Sequence, residues 1–267
     1  MNFKFWKNRI LYRLFRMLPG ADRRMLLKQY IKVIEVIPEA ADEVWQMLQQ
    51  NWKFQKKNKK NIKIVSLGWG CMIRTYTTLY MLKPGKSCGE KSMPFDLVMS
   101  PAATLLHFLK TDFSDYFTGE WFYDYENSWW ANDPATGVYY AHDKDCGPDD
   151  LKKLTERISK RIDNFREVMD FPGMLFFIIQ KRSCDDARLY QEIKEELARK
   201  RQGKPFRMLV LACDLDEKCR EIDGLEYAYY PYPSQDHIWH EPEMRFTPIG
   251  MKYELAIAKI FRDFICS

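Results

Sequence analysis

The chemistry this sequence offers is concentrated in Ser66-Leu67-Gly68-Trp69-Gly70-Cys71. Residues 62–67 read as a short apolar strand. Two glycines then permit a tight turn, and Cys71 opens a helix over 71–82 that Pro84 and Gly85 stop. A thiol at a helix start meets unpaired backbone N–H groups and the positive end of the helix dipole, which favour its thiolate form. The N–H groups of Gly70 and Cys71 stand where an oxyanion would form. Gly68 and Gly70 put no side chain in a substrate's way. Two other readings compete: a buried, inert cysteine, or a phosphate cradle at the Gly-x-Gly turn. The latter lacks the third glycine of a dinucleotide fingerprint, because Thr75 and Tyr76 stand where it should fall.

A thiolate nucleophile needs a histidine partner. The chain has four histidines: His107, His142, His237 and His240. His107 lies within the apolar helical stretch 105–109 and is expected at the edge of the core. His142 leaves the end of a strand over 137–142, where a polar side chain can enter a cleft, and it ranks first as the base. His237, beside Asp236, is the reserve. The His237/His240 pair has a zinc-like spacing, but Cys213 and Cys219 are badly spaced to complete it, so no metal is expected. No cofactor is expected either. Asp143 and Asp96 are the two choices for a carboxylate that orients His142. Asp143 follows the histidine directly; Asp96 follows Pro94-Phe95, and a helix cap or ion pair is its structural alternative. Trp69, Trp129 and Trp130 are flat rings able to line a peptide or sugar groove.

The order of these elements resembles an uncharacterised, mainly bacterial family of papain-like cysteine peptidases. Its members share Ser-Leu-Gly-x-x-Cys, then Pro-Phe-Asp often followed by Trp, then His-Asp and an Arg-rich helix. Here the matching residues are Ser66 to Cys71, Pro94-Phe95-Asp96, His142-Asp143 and the helix over 157–165, with Leu97 where Trp is usual. The match covers roughly residues 62 to 215 and leaves out the N-terminal 60. The resemblance implies a cysteine nucleophile with a histidine base, acting on a peptide, amide or acyl bond.

The elements around these residues point to an α/β class. We expect a layered, mixed sheet with helices on both faces, including a strand–helix–strand unit near 174–212; a papain-like α+β core is the alternative. Strands are expected at 174–180, 206–212 and 225–230. Helices are expected at 22–37, 39–52, 100–109, 149–168, 186–201 and 250–265. Residues 53–63, rich in lysine, read as a solvated linker. The domain break is therefore set at residue 60, with a basic helical extension over 1–60 and the chemistry-bearing domain over 61–267.

The chain has 267 residues, enough for one large domain or two small ones at about 150 residues each. Hydrophobic residues make up 46% and charged residues 30%, which excludes a disordered chain. The net charge of +5 is uneven: residues 1–63 hold 15 Lys and Arg against 5 Asp and Glu, while the rest is net acidic. A nucleic-acid binder is not expected. No apolar run approaches the ~20 residues of a membrane span, and no signal sequence can be drawn. Seven cysteines without an export signal suit free thiols in the cytoplasm. Residues 3–18 form an amphipathic basic pattern, with Arg9, Arg13 and Arg16 opposite Ile10, Leu14 and Phe15. Two uses are open: docking on the domain or a protein partner, or lying on the inner face of a membrane. The competing functional readings are a glycan- or peptide-binding accessory protein, membrane-associated through that helix, and a transferase in surface-glycan synthesis. The substrate would accordingly be a peptide, an acyl compound or a glycan-linked compound.

Overall fold

The computed structural model describes residues 20–116, 121–125, 128–140, 142–143 and 145–267. The amphipathic segment 3–18 lies outside them. The described chain forms two compact units. One holds residues 20–59, 75–90 and 233–267; the other holds 60–74 and 91–232.

The second unit carries the chemistry. Its sheet has four strands, β1 (Ile62–Ser66), β5 (Met174–Lys181), β6 (Phe206–Ala212) and β7 (Glu226–Tyr229), in that order and all parallel. β5 is apolar almost throughout and buried at every position after the first, the pattern of a strand covered on both faces. Leu175, Phe177 and Ile179 face one side with Met208 and Val210, and Phe176, Ile178, Leu209 and Leu211 are buried on the other. The unit 174–212 is strand–helix–strand as expected, with α6 (Ala187–Arg201) between β5 and β6. Asp186 caps that helix by accepting from Arg188 N–H. Its last residue, Arg201, is fully buried and donates to the carbonyls of Met169, Phe171, Gly173 and Pro205 at 2.7–3.0 Å. One guanidinium thus ties the entries of β5 and β6 together.

The class is α/β, but the sheet is not mixed. The antiparallel strands form a separate three-stranded sheet of β2 (Trp121–Tyr125), β3 (Ser128–Asp133) and β4 (Val138–Tyr140). The α+β alternative fails because the strand before the cysteine helix pairs in parallel. α4 (Ala102–Thr111), α5 (Leu151–Met169) and α6 share one core with the first sheet face. α5 supplies Leu154, Ile158, Ile162 and Phe165 at helical spacing. At its centre Phe95, Phe108, Phe113, Tyr116 and Phe165 pack ring on ring, with Phe108 and Tyr116 centroids 4.5 Å apart. His107 sits at the edge of that core: its ring packs 5.8 Å from that of buried Phe108, while half its side chain is exposed and pairs with Asp115 at 2.6 Å.

The first unit gathers α1 (Ala21–Val36), α2 (Ala41–Asn58) and α8 (Pro248–Cys266), with the four-residue α7 (Pro242–Arg245). α2 runs six residues beyond the expected end, so the linker shrinks to 59–61. Buried Asn51 and Gln55 continue its inner face, and Lys56 and Lys57 suit the negative end of the dipole. The chain passes from the first unit to the second between residues 59 and 60, and 233–267 and 75–90 group with the N-terminal helices rather than with the chemistry-bearing unit. Buried Glu254 on α8 explains this: it accepts from Gln29 Nε2 of α1 at 2.8 Å and pairs with Arg245 Nε at 2.5 Å.

Candidate functional site

The turn after β1 has three residues in the left-handed region: Gly68 (φ 71°), Trp69 (φ 48°) and Gly70 (φ 89°). A side chain at Gly68 would also sit 3.2 Å from the Ser100 carbonyl, so that position requires glycine on two counts. Cys71 follows, directly before α3 (Met72–Leu79). Helix α3 is shorter than expected because Met81 turns left-handed (φ 61°).

His142 lies just beyond β4, and its Nε2 stands 3.2 Å from Cys71 Sγ. The thiol is partly accessible and the histidine exposed. The highest-ranked nucleophile and base are therefore in hydrogen-bond contact, across 71 residues of chain.

A two-residue bracket produces this meeting. Gly70 N–H donates to the Val98 carbonyl at 2.9 Å, while Met99 exchanges both backbone hydrogen bonds with Tyr139 at 3.0 Å. One short segment thus holds the cysteine turn on one side and the histidine strand on the other. Sequence reading missed it, since nothing in Val98-Met99 marks a strand. It also corrects the oxyanion assignment. Gly70 N–H is committed to Val98 and is not open to a substrate oxygen, so Gly70 serves as a turn residue.

Both aspartates are engaged by groups other than His142, Asp96 in the kind of structural pairing named as its alternative. Asp96 is fully buried. Its Oδ1 accepts from Ser66 Oγ at 2.5 Å, and its Oδ2 accepts from Met93 N–H at 2.8 Å and faces Arg74 Nε at 3.6 Å. It fastens the Pro94-Phe95-Asp96 turn to the end of β1, and it acts through the cysteine turn rather than on His142. Asp143 is also buried. Arg161 grips it with two bonds of 2.7 and 2.8 Å, and Arg157 adds one at 3.4 Å. Arg157 and Arg161 are one helical turn apart on α5, so both reach the same loop. Arg157 also binds Asp145 at 2.5 and 2.6 Å, which holds that carboxyl far below the usual range. The Arg-rich helix therefore anchors the segment that carries His142.

The reserve base His237 belongs to the other unit, where its ring packs 5.3 Å from that of Tyr253. Burial lowers its pKa. His240 stands beside Glu241, at 3.6 Å. Trp129 and Trp130 lie in β3, paired with Asp124 and Tyr123; the side chains of that hairpin fall outside the described residues.

A cavity of about 390 Å³ opens at the carboxyl ends of β1 and β5, the usual ligand side of a parallel sheet. Leu67, Trp69, Ala102 and Ile179 form its apolar walls, and Arg182, Cys184 and Asp185 its polar rim. The Arg182 guanidinium lies over the Trp69 ring, 4.4 Å from the centroid. Just behind, Lys181 and Glu217 form a buried ion pair at 2.6 Å that holds the β6–β7 connection.

Compared with known proteins, the chain matches no family model, no curated protein and no solved structure.

Proposed function

We propose that this protein is a thiol-dependent amide or acyl hydrolase of the cysteine-peptidase class, with Cys71 as nucleophile and His142 as general base. The observation that carries the reading is the 3.2 Å contact between Cys71 Sγ and His142 Nε2, beside a cavity at the carboxyl ends of parallel strands. In the reaction, Nε2 takes the thiol proton, and the sulfur attacks the substrate's carbonyl carbon. The tetrahedral intermediate then expels its amine or alcohol, which His142 protonates, leaving a thioester. Water attacks the thioester with His142 again as base, which releases the acid and restores the thiol. Asp143 and Asp96 are positioning residues in this scheme. The resemblance to papain-like peptidases supports the pairing of cysteine and histidine; the parallel sheet means that the likeness does not extend to a papain-type core.

We assign the reaction to the cytoplasm. Support comes from the seven cysteines, all of them thiols rather than disulfides. No described helix is long and apolar enough to cross a membrane. A peripheral contact through residues 3–18 rests on their amphipathic pattern alone.

The test is alkylation of each cysteine by iodoacetamide, read by peptide mass spectrometry, in wild type and His142→Ala. Cys71 is expected to react fastest near neutral pH and to lose that lead without the histidine. Cys71→Ala is expected to abolish hydrolysis of peptide and acyl-ester substrates while the fold persists. A Cys71 no more reactive than Cys184 or Cys266, both exposed, would refute the assignment.

A further inference from the structure

The cavity beside Trp69 holds one fixed cation and one fixed anion, each with capacity to spare. Arg182 uses Nε on Asp214 Oδ2 at 2.9 Å, and among the described residues its Nη1 and Nη2 donate to nothing. Asp185 uses Oδ2, which accepts from Arg182 N–H at 3.2 Å and from Tyr190 O–H at 2.6 Å. Its Oδ1 accepts no hydrogen bond among the described residues. The guanidinium carbon lies over the Trp69 ring, 4.4 Å from its centroid, and with Nε held by Asp214 the remaining donors can form the two-pronged contact that suits a planar carboxylate. A lone anion would be opposed by Asp185 and Asp214, and a lone cation by Arg182. A ligand bearing both charges meets each in turn.

We infer that this cavity takes the zwitterionic head of an α-amino acid, its carboxylate on Arg182 and its ammonium on Asp185, so that a side-chain amide reaches Cys71. Trp69 lines the cavity and stands two residues before Cys71 in the chain, so the turn that carries the thiol also forms a wall of the cavity. The substrate class is therefore a side-chain carboxamide such as glutamine, and the inference rests on the thiol hydrolase reading above. The balanced step is attack of the thiolate on the amide carbon, loss of ammonia with a proton from His142, and hydrolysis of the γ-glutamyl thioester. Glutamine and water become glutamate and ammonia.

The test separates binding from reaction. In Cys71→Ala, calorimetric titration compares L-glutamine with L-glutaminamide, which lacks the carboxylate, and with glutaramate, which lacks the ammonium. Glutamine is expected to bind at least tenfold more tightly than either, the loss of about one good charge-assisted contact. Arg182→Gln should erase the preference over glutaminamide and leave that over glutaramate; Asp185→Asn should do the reverse. Arg182→Lys keeps the charge without the fork and should retain part of the first preference, which guards against a mere folding defect. Equal binding of the three compounds, no binding of any, or a loss in the variants that ignores which group is missing would each overturn the inference. Alkylation of Cys71 reports separately on the thiol. A reactive Cys71 without head-group selectivity sinks only this inference; an inert Cys71 with selectivity sinks the hydrolase reading and the glutamine hydrolysis that rests on it, and leaves only the amino-acid head site.

Discussion

The arginine grip on the histidine loop is open to a quantitative test through Arg161→Met. Arg161 and Asp143 expose only 12% and 3% of their side chains and share two bonds under 2.9 Å. Breaking a buried pair by removing one partner costs about 3–5 kcal/mol, because the remaining charge stays buried. Arg157, at 3.4 Å and about one-third exposed, still offers Asp143 a positive charge, which lowers the expected loss to about 2–3 kcal/mol. Asp143→Asn leaves an acceptor for Arg161 and should cost less. The double variant should cost less than the sum of the two, with a coupling of about 1 kcal/mol or more. Urea unfolding followed by circular dichroism gives the stabilities. Alkylation of Cys71 under native conditions gives the consequence for the site: Arg161→Met should bring the rate close to that of His142→Ala, because His142 adjoins the loosened carboxylate. A stability loss below about 0.5 kcal/mol, typical of an unremarkable surface change, with no coupling to Asp143, would refute the reasoning.

Two further outcomes follow from the same geometry. Gly68→Ala places a Cβ in a left-handed residue and 3.2 Å from Ser100 O; a loss of about 1–2 kcal/mol is expected from the conformation alone, with slower alkylation of Cys71, and unchanged thermal stability would contradict it. His237 has its pKa lowered by burial, so the unfolded chain takes up a proton first as pH falls. Stability should then decline below about pH 6.5, the unfolded value, and His237→Gln should flatten that decline in unfolding measurements between pH 8 and pH 5; identical slopes would rule it out.

Much of the chemistry-bearing unit was legible because its signals are local. The apolar runs at 62–67, 174–180 and 206–212 announce buried strands, and the glycine turn before Cys71 announces a helix start. His142 ranked first because a polar residue ending an apolar strand has few places to go. The antiparallel hairpin was not legible: its Tyr, Trp and Asp residues alternate without a clear apolar face. The length of α2 was missed because a run of lysines looks like a solvated linker, whereas two buried amides keep it helical. Asp96 and Asp143 were recognised as special; for Asp96 it is the structural alternative, an ion pair with Arg74, that the fold shows, while Asp143 is held by arginines rather than set against His142. A buried carboxylate's role depends on which donors surround it, and Ser66, Arg157 and Arg161 are distant in sequence from the residues they bind.

The sequence by itself determined the α/β class with its strand–helix–strand unit, the turn that presents Cys71, and the short list of partners for its thiol, since backbone propensity and hydrophobic period act within a few residues. Tertiary structure alone decided that Cys71 and His142 touch across 71 residues, and that Gly70 gives its N–H to Val98. It also decided that Arg182 lies over the Trp69 ring, and that α8 belongs with the N-terminal helices. These are contacts between segments far apart in the chain, and they form only when burial of the apolar faces has fixed how those segments pack.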